Sequence, residues 1–195
     1  MSHDDKTHAE RPMPARPLTA WQAWELTVGY IHQNHSADAT LRLDIHPLEH
    51  IIGWDATLSW GNDKEKVTDS PAFSIALADL WGIVEQNHRL LNTIEAATRR
   101  PINYSEDQIL DTTTYSVFSS LVNSTDTIFT GDWQIIIIYR PIETPSKRVQ
   151  TRLTADNHKV NRAGNGATLR EACRQLLRNA APVFHQYKIQ QENDD

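Results

Sequence analysis

Four consecutive isoleucines lie within Trp133–Tyr139, and that run restricts the fold more than any other stretch. Successive side chains of a strand point to opposite faces, so a short segment that is apolar at almost every position predicts a central strand covered on both sides. Val149, Thr151 and Leu153 follow, alternating with Gln150, Arg152 and Thr154. This is the pattern of a neighbouring strand with one buried face, and the proline-bearing stretch Pro141 to Ser146 supplies the turn between them.

An earlier hairpin has the same form. Leu41, Leu43 and Ile45 alternate with polar residues, and Ile51 to Trp60 reads as the paired strand. Helices flank both hairpins. Thr19 and Gln22 make a capping box ahead of Trp21, Trp24, Val28 and Ile31, which recur at helical spacing. Ser70 and Pro71 predict the start of a second helix carrying Phe73, Leu77, Leu80, Trp81, Val84 and Leu91, and Pro101 must end it. Ser105 and Gln108 box a third, with Leu110, Val117, Phe118, Leu121 and Val122 as its stripe. Thr168 and Glu171 box the last, which presents Leu169, Ala172, Cys173, Leu176, Leu177 and Ala180. The expectation is an α+β fold, a sheet of two hairpins covered by about four helices. The order helix, strand, strand, helix occurs twice, which suggests pseudo-duplicated α-β-β-α halves over 18–100 and 101–189 of one domain, 18–189.

The ends differ from this body. Residues 1–17 carry charges and three prolines with few large apolar groups, too little burial to offset ordering entropy, and are expected to be disordered. Residues 190–195 are expected to form a flexible acidic tail. No apolar run is long enough to span a bilayer and no secretory signal is evident, so a cytoplasmic protein without membrane contact is expected. Cys173 is the single cysteine, which excludes an intramolecular disulfide.

Charge is unevenly distributed. Met1 to Tyr139 holds 9 Lys/Arg against 19 Asp/Glu, whereas Arg140 to Gln190 holds 10 against 3. The basic part supplies the candidate binding residues. Lys147, Arg148 and Arg152 lie on the second hairpin, Lys159 and Arg162 in the loop after it, and Arg170, Arg174 and Arg178 four apart on one edge of the last helix. Such residues suit phosphates, but docking of the basic part on the acidic half of this chain or on a second copy is the preferred reading. Single-strand readers need stacking aromatics, which this region lacks. The segment Gly164-Asn-Gly-Ala-Thr168-Leu-Arg170-Glu-Ala172 resembles the junction into the last helix of double-stranded-RNA-binding domains, implying duplex RNA as an alternative partner. Leu169 stands where that family has lysine, and no glycine-proline-histidine loop precedes it. The likeness spans a small fraction of the chain and assigns no family.

Chemistry-bearing patterns are sparse. His32/His35 and His46/His50 have spacings that metal sites use, with Asp44, Glu49 and Asp55 nearby. His46 and His50 would converge only in a helical turn, so they are weak metal candidates and no cofactor is expected. Asp55, Asp63, Glu65 and Asp69 cluster around the first hairpin, a set that could form a divalent-metal or acid/base site, although a solvated acidic edge is far commoner. Cys173 sits on an apolar helix face, no Gly-x-Ser-x-Gly elbow is present, and Gly164-Asn-Gly166 is not followed by Gly-Lys-Ser/Thr. Six tryptophans are expected mainly in the core. The sequence therefore favours a non-catalytic binding or assembly module that acts through protein–protein contacts or self-association. Alternatives are RNA or DNA binding by the basic hairpin and last helix, and an enzyme with a site near His46 and His50.

Overall fold

The computed structural model describes residues 17–89, the backbone of 102–103, and residues 110–141 and 143–194. A two-residue strand β1 (Leu18–Thr19) leads into α1 (Ala20–Asn34). Three strands follow: β2 (Thr40–Pro47), β3 (Ile52–Trp60) and β4 (Asp63–Ser70). Helix α2 (Phe73–His88) closes this part, and β5 (Ile102–Asn103) pairs in parallel with β1. The second part repeats the order with α3 (Thr112–Ile128), β6 (Trp133–Tyr139), β7 (Val149–Ala155), β8 (Val160–Gly166) and α4 (Leu169–Asp194). A 3-10 turn at Pro145–Lys147 connects β6 to β7.

The fold is α+β, as expected, but each part contributes three strands rather than one hairpin. All six form one antiparallel sheet in the order β4-β3-β2-β6-β7-β8. Strands β2 and β6 make the central seam, with Leu41 opposite Tyr139 and Ile45 opposite Ile135. Strand β4 (DKEKVTDS) eluded the sequence reading because it is mostly charged, a composition that protects a sheet edge from further pairing. Residues 160–166, expected to be a loop ahead of the last helix, form strand β8 despite two glycines. Those glycines face α4, which lies against them: a Cβ on Gly166 would come within 2.6 Å of the Ala172 amide nitrogen.

Burial shows which face of the sheet the helices cover. On β6, Trp133, Ile135, Ile137 and Tyr139 are buried, whereas Gln134, Ile136 and Ile138 are half-buried. The isoleucine run is central in the sheet, but among the described residues helices cover only one of its faces and Ile136 and Ile138 are half-buried on the other, a correction to the two-sided burial expected. Leu41, Leu43 and Ile45 from β2, Leu58 from β3 and Leu153 from β7 share the covered face. They join the helices in one core with Trp24, Ile31, Leu77, Leu80, Leu121 and Leu176. All six tryptophans are buried. Trp24 and Trp81 meet edge to face at 4.9 Å, linking α1 to α2. Phe129 at the end of α3 packs on Tyr187 of α4 at 4.9 Å.

Helix starts follow local chemistry. The Thr19/Gln22 box forms in both directions, at 3.2 and 3.1 Å. Thr168 accepts from the Glu171 amide, while the Glu171 carboxylate accepts from Ala167. Helix α2 begins at Phe73 behind Ala72, because Ser70 ends β4. Helix α3 begins at Thr112, capped by Asp111. Ser105, Gln108, Leu91 and Pro101 lie outside the described residues, as does the N-terminal segment apart from Pro17. Helix α4 extends to Asp194, so the described part of the acidic tail expected at 190–195 is helical. Among the described residues no helix is long and apolar enough to cross a membrane.

Candidate functional site

The uncovered face of the sheet is built by alternation. Arg42 and Asp44 are two apart on β2 and therefore share it. The Arg42 guanidinium grips Asp44 through Nε at 2.7 Å and Nη2 at 2.6 Å, and Gln134 of β6 donates to the same carboxylate at 3.1 Å. Three donors make a nearly buried carboxylate tolerable there. Next to this pair lie Ile136, flanked by Asp44 and Arg152, and Ile138, flanked by Arg42 and Gln150. Ile136 and Ile138, with Arg42, Arg140, Gln150 and Arg152, line a shallow depression of about 290 Å³. Arg140 reaches Glu143 at 3.9 Å, and no ion pair among the described residues involves Arg152.

Toward the β4 edge the same face carries His46, Asp55 and Asp69. Their ligating atoms all lie within 4.8 Å of one another. His46 Nε2 is 3.4 Å from Asp55 Oδ1, and Lys66 Nζ is 3.2 Å from Asp55 Oδ2. Strand β4 bulges opposite Asp55, where Asp69 adopts a left-handed φ of 55° and donates its backbone N–H to Asp55 at 2.9 Å. Burial would push the Asp55 carboxyl up, but the Asp69 amide, Lys66 and His46 together hold it below the ordinary aspartate range. His50 does not join this group. Strand β2 ends at Pro47, and a tight turn with Leu48 N–H on the Ile51 carbonyl (2.7 Å) carries the exposed His50 away. His32 and His35 serve the end of α1: His32 Nδ1 lies 3.0 Å from the Ala37 carbonyl, and His35 is the C-cap.

A third feature lies on the helical side. A cleft of about 1020 Å³ opens between the β2–β3 turn, the start of α2 and α3. Trp54, Phe73 and Phe118 make its aromatic floor, with ring centroids 5.1, 5.7 and 5.6 Å apart. Ile51 and Tyr115 stand at its rim, 51% and 56% exposed.

The basic residues singled out from sequence are not gathered on one surface. Arg152 lies on the uncovered face, while Arg174 and Arg178 are exposed on α4, which packs on the opposite face. Arg162 pairs with Leu153 in register and so points to the helical side. Lys147 and Arg148 occupy the β6–β7 connection, and Lys159 the turn at the other end of β7. Arg148 acts electrostatically on Glu25 of α1, and Arg170 on Asp111. These two basic groups thus face carboxylates of the acidic part. Burial pushes the Cys173 thiol up to about 12, so at neutral pH it is a small apolar group. No protein-family model, curated protein or solved structure matches the chain.

Sequence reasoning set Asp55 near His46 and Asp69 in the acidic cluster of the same hairpin, but missed the face around Ile136 and Ile138. The available signal was Gln134, the one polar residue in the β6 run, which marks the side that meets water.

Proposed function

We propose that this chain is a binding module that engages another protein through the uncovered face of its sheet, without chemistry of its own. The observation that carries the reading is the pair Ile136 and Ile138, half-buried at the centre of a six-stranded sheet with no helix among the described residues over them. Arg42, Arg140 and Arg152 frame the pair. An apolar centre inside a polar rim is the anatomy of a recognition patch, and arginine is enriched in such patches. Charge complementarity selects an acidic segment with an apolar residue as the occupant. A second copy laid face to face over the same spot would oppose arginine to arginine.

Photo-crosslinking side chains placed at Ile138, Gln150 or Gln186 in the producing cells test the reading. Adducts with one protein from Ile138 and Gln150, reduced by Arg152→Glu and absent from the α4 position Gln186, are the expected result. Equal adducts from Gln186, or none from the sheet face, would remove the reading. Adducts with nucleic acid would instead support the alternative of RNA or DNA binding.

A further inference from the structure

Three adjacent strands each deliver one metal-ligating group to the same place. His46 comes from β2, Asp55 from β3 and Asp69 from β4. Two local irregularities bring them together. Gly53 is opposite His46 in the β2–β3 register, and a Cβ there would meet the Leu48 side chain at 2.7 Å and His46 Cε1 at 3.0 Å. The absent side chain leaves room for the imidazole to lie across β3 toward Asp55. The bulge in β4 then turns Asp69 toward the same point, in a left-handed conformation that aspartate tolerates better than most residues.

The charges are unbalanced. Two carboxylates converge, yet among the described residues Asp55 pairs with the Lys66 ammonium and the His46 imidazole alone, and no ion pair holds the Asp69 carboxylate. The Lys66 side chain is 44% exposed, whereas those of His46 and Asp55 are 24% and 16% exposed. The lysine can swing into water without disturbing the packing. The other two are held.

We propose that His46, Asp55 and Asp69 form a zinc site on the uncovered face, and that the Lys66 ammonium holds Asp55 until the ion displaces it. One imidazole nitrogen with two carboxylate oxygens is a mixed donor set that zinc accepts, with water completing the tetrahedron. Magnesium and calcium prefer oxygen alone and take this site poorly. The inference is independent of the partner proposed above.

The test uses the full-length, untagged protein stripped with chelator, titrated with zinc chloride by calorimetry and with cobalt(II) by visible absorption. One ion per chain is expected, with a cobalt spectrum of tetrahedral intensity. Asp69→Asn keeps a residue that accepts the left-handed backbone, so the fold survives, and it should weaken binding about tenfold or more. His46→Gln should abolish the cobalt spectrum. Lys66→Met should tighten zinc several-fold, because the competing ammonium is gone. Absence of saturable binding at millimolar zinc would overturn the site, as would binding unchanged in both Asp69→Asn and His46→Gln. Weaker binding in Lys66→Met would overturn the displacement.

Discussion

Gly164 of β8 faces Leu176 of α4 so closely that a Cβ on the glycine would lie 2.5 Å from the Leu176 amide nitrogen. The Ala172 carbonyl oxygen is closer still, and both obstacles are backbone. The single proton of the Thr151 hydroxyl is shared between the Gly164 and Ala172 carbonyls, at 3.2 and 3.1 Å, tying strand and helix together beside the contact. Gly164→Ala should therefore lift α4 from the sheet and cost about 3 kcal/mol or more. Gly29 in α1 has nothing within 4 Å of its would-be Cβ, so Gly29→Ala should stabilise by roughly 0.5–1 kcal/mol. Urea unfolding of the two variants checks both signs.

The isoleucine run supplies a test within two adjacent residues. Ile135 is fully buried on the helical side and Ile136 half-buried on the other. Ile135→Ala should lose about 2–5 kcal/mol, and Ile136→Ala less than half of whatever Ile135→Ala loses. Equal losses would mean that both faces are covered.

Glu25 predicts a pH effect of opposite sign to the usual carboxylate. Burial raises its pKa, and this outweighs the hydrogen bond from Trp21 Nε1 (2.8 Å) and the field of Arg148. At low pH the group is protonated folded or unfolded and contributes nothing. As pH rises through the ordinary glutamate range the unfolded chain ionises first, and stability falls until the folded group ionises too. Glu25→Gln retains an acceptor for Trp21 and removes this loss. Its melting temperature at pH 7 should exceed that of the parent by roughly 2–4 °C, and the difference should vanish in acid.

Asp111 behaves conventionally. Burial would raise its pKa, but the Thr114 hydroxyl and amide, Arg170 and the Thr113 amide outweigh that and depress it. Its stabilisation is present above the unfolded pKa and lost as pH falls through the folded one. Asp111→Ala should cost about 1 kcal/mol at neutral pH, as expected for an N-cap. Melting curves taken at falling pH should show parent and variant converging.

Much of the fold was legible where local chemistry and burial agree. The Thr19/Gln22 and Thr168/Glu171 boxes both act at helix starts, and the Leu41-Leu43-Ile45 alternation marks the covered face. The start of α3 was not, because Asp111 does the capping while its Thr/Tyr/Val-rich sequence also suits a strand. Strand β4 was hidden by charges that belong on an edge, and β8 by glycines whose reason lies in α4. The site was less legible still. His46 meets Asp55 across a hairpin and Asp69 across a bulge, and spacing along the chain encodes neither. His46 and His50, four apart in sequence, are separated by the turn that follows Pro47.

The central β2–β6 seam also sets a timetable for synthesis. Gln134 and Asp44, bonded across it, are 90 residues apart in the chain. At about 5–20 residues per second, β2 waits roughly 5–20 s on the ribosome before its partner exists. During that interval its inner edge is an open template beside Leu41, Leu43 and Ile45. Fast translation through 48–132, or a chaperone that shields that edge, should matter more to the yield of this protein than the stability of the finished sheet.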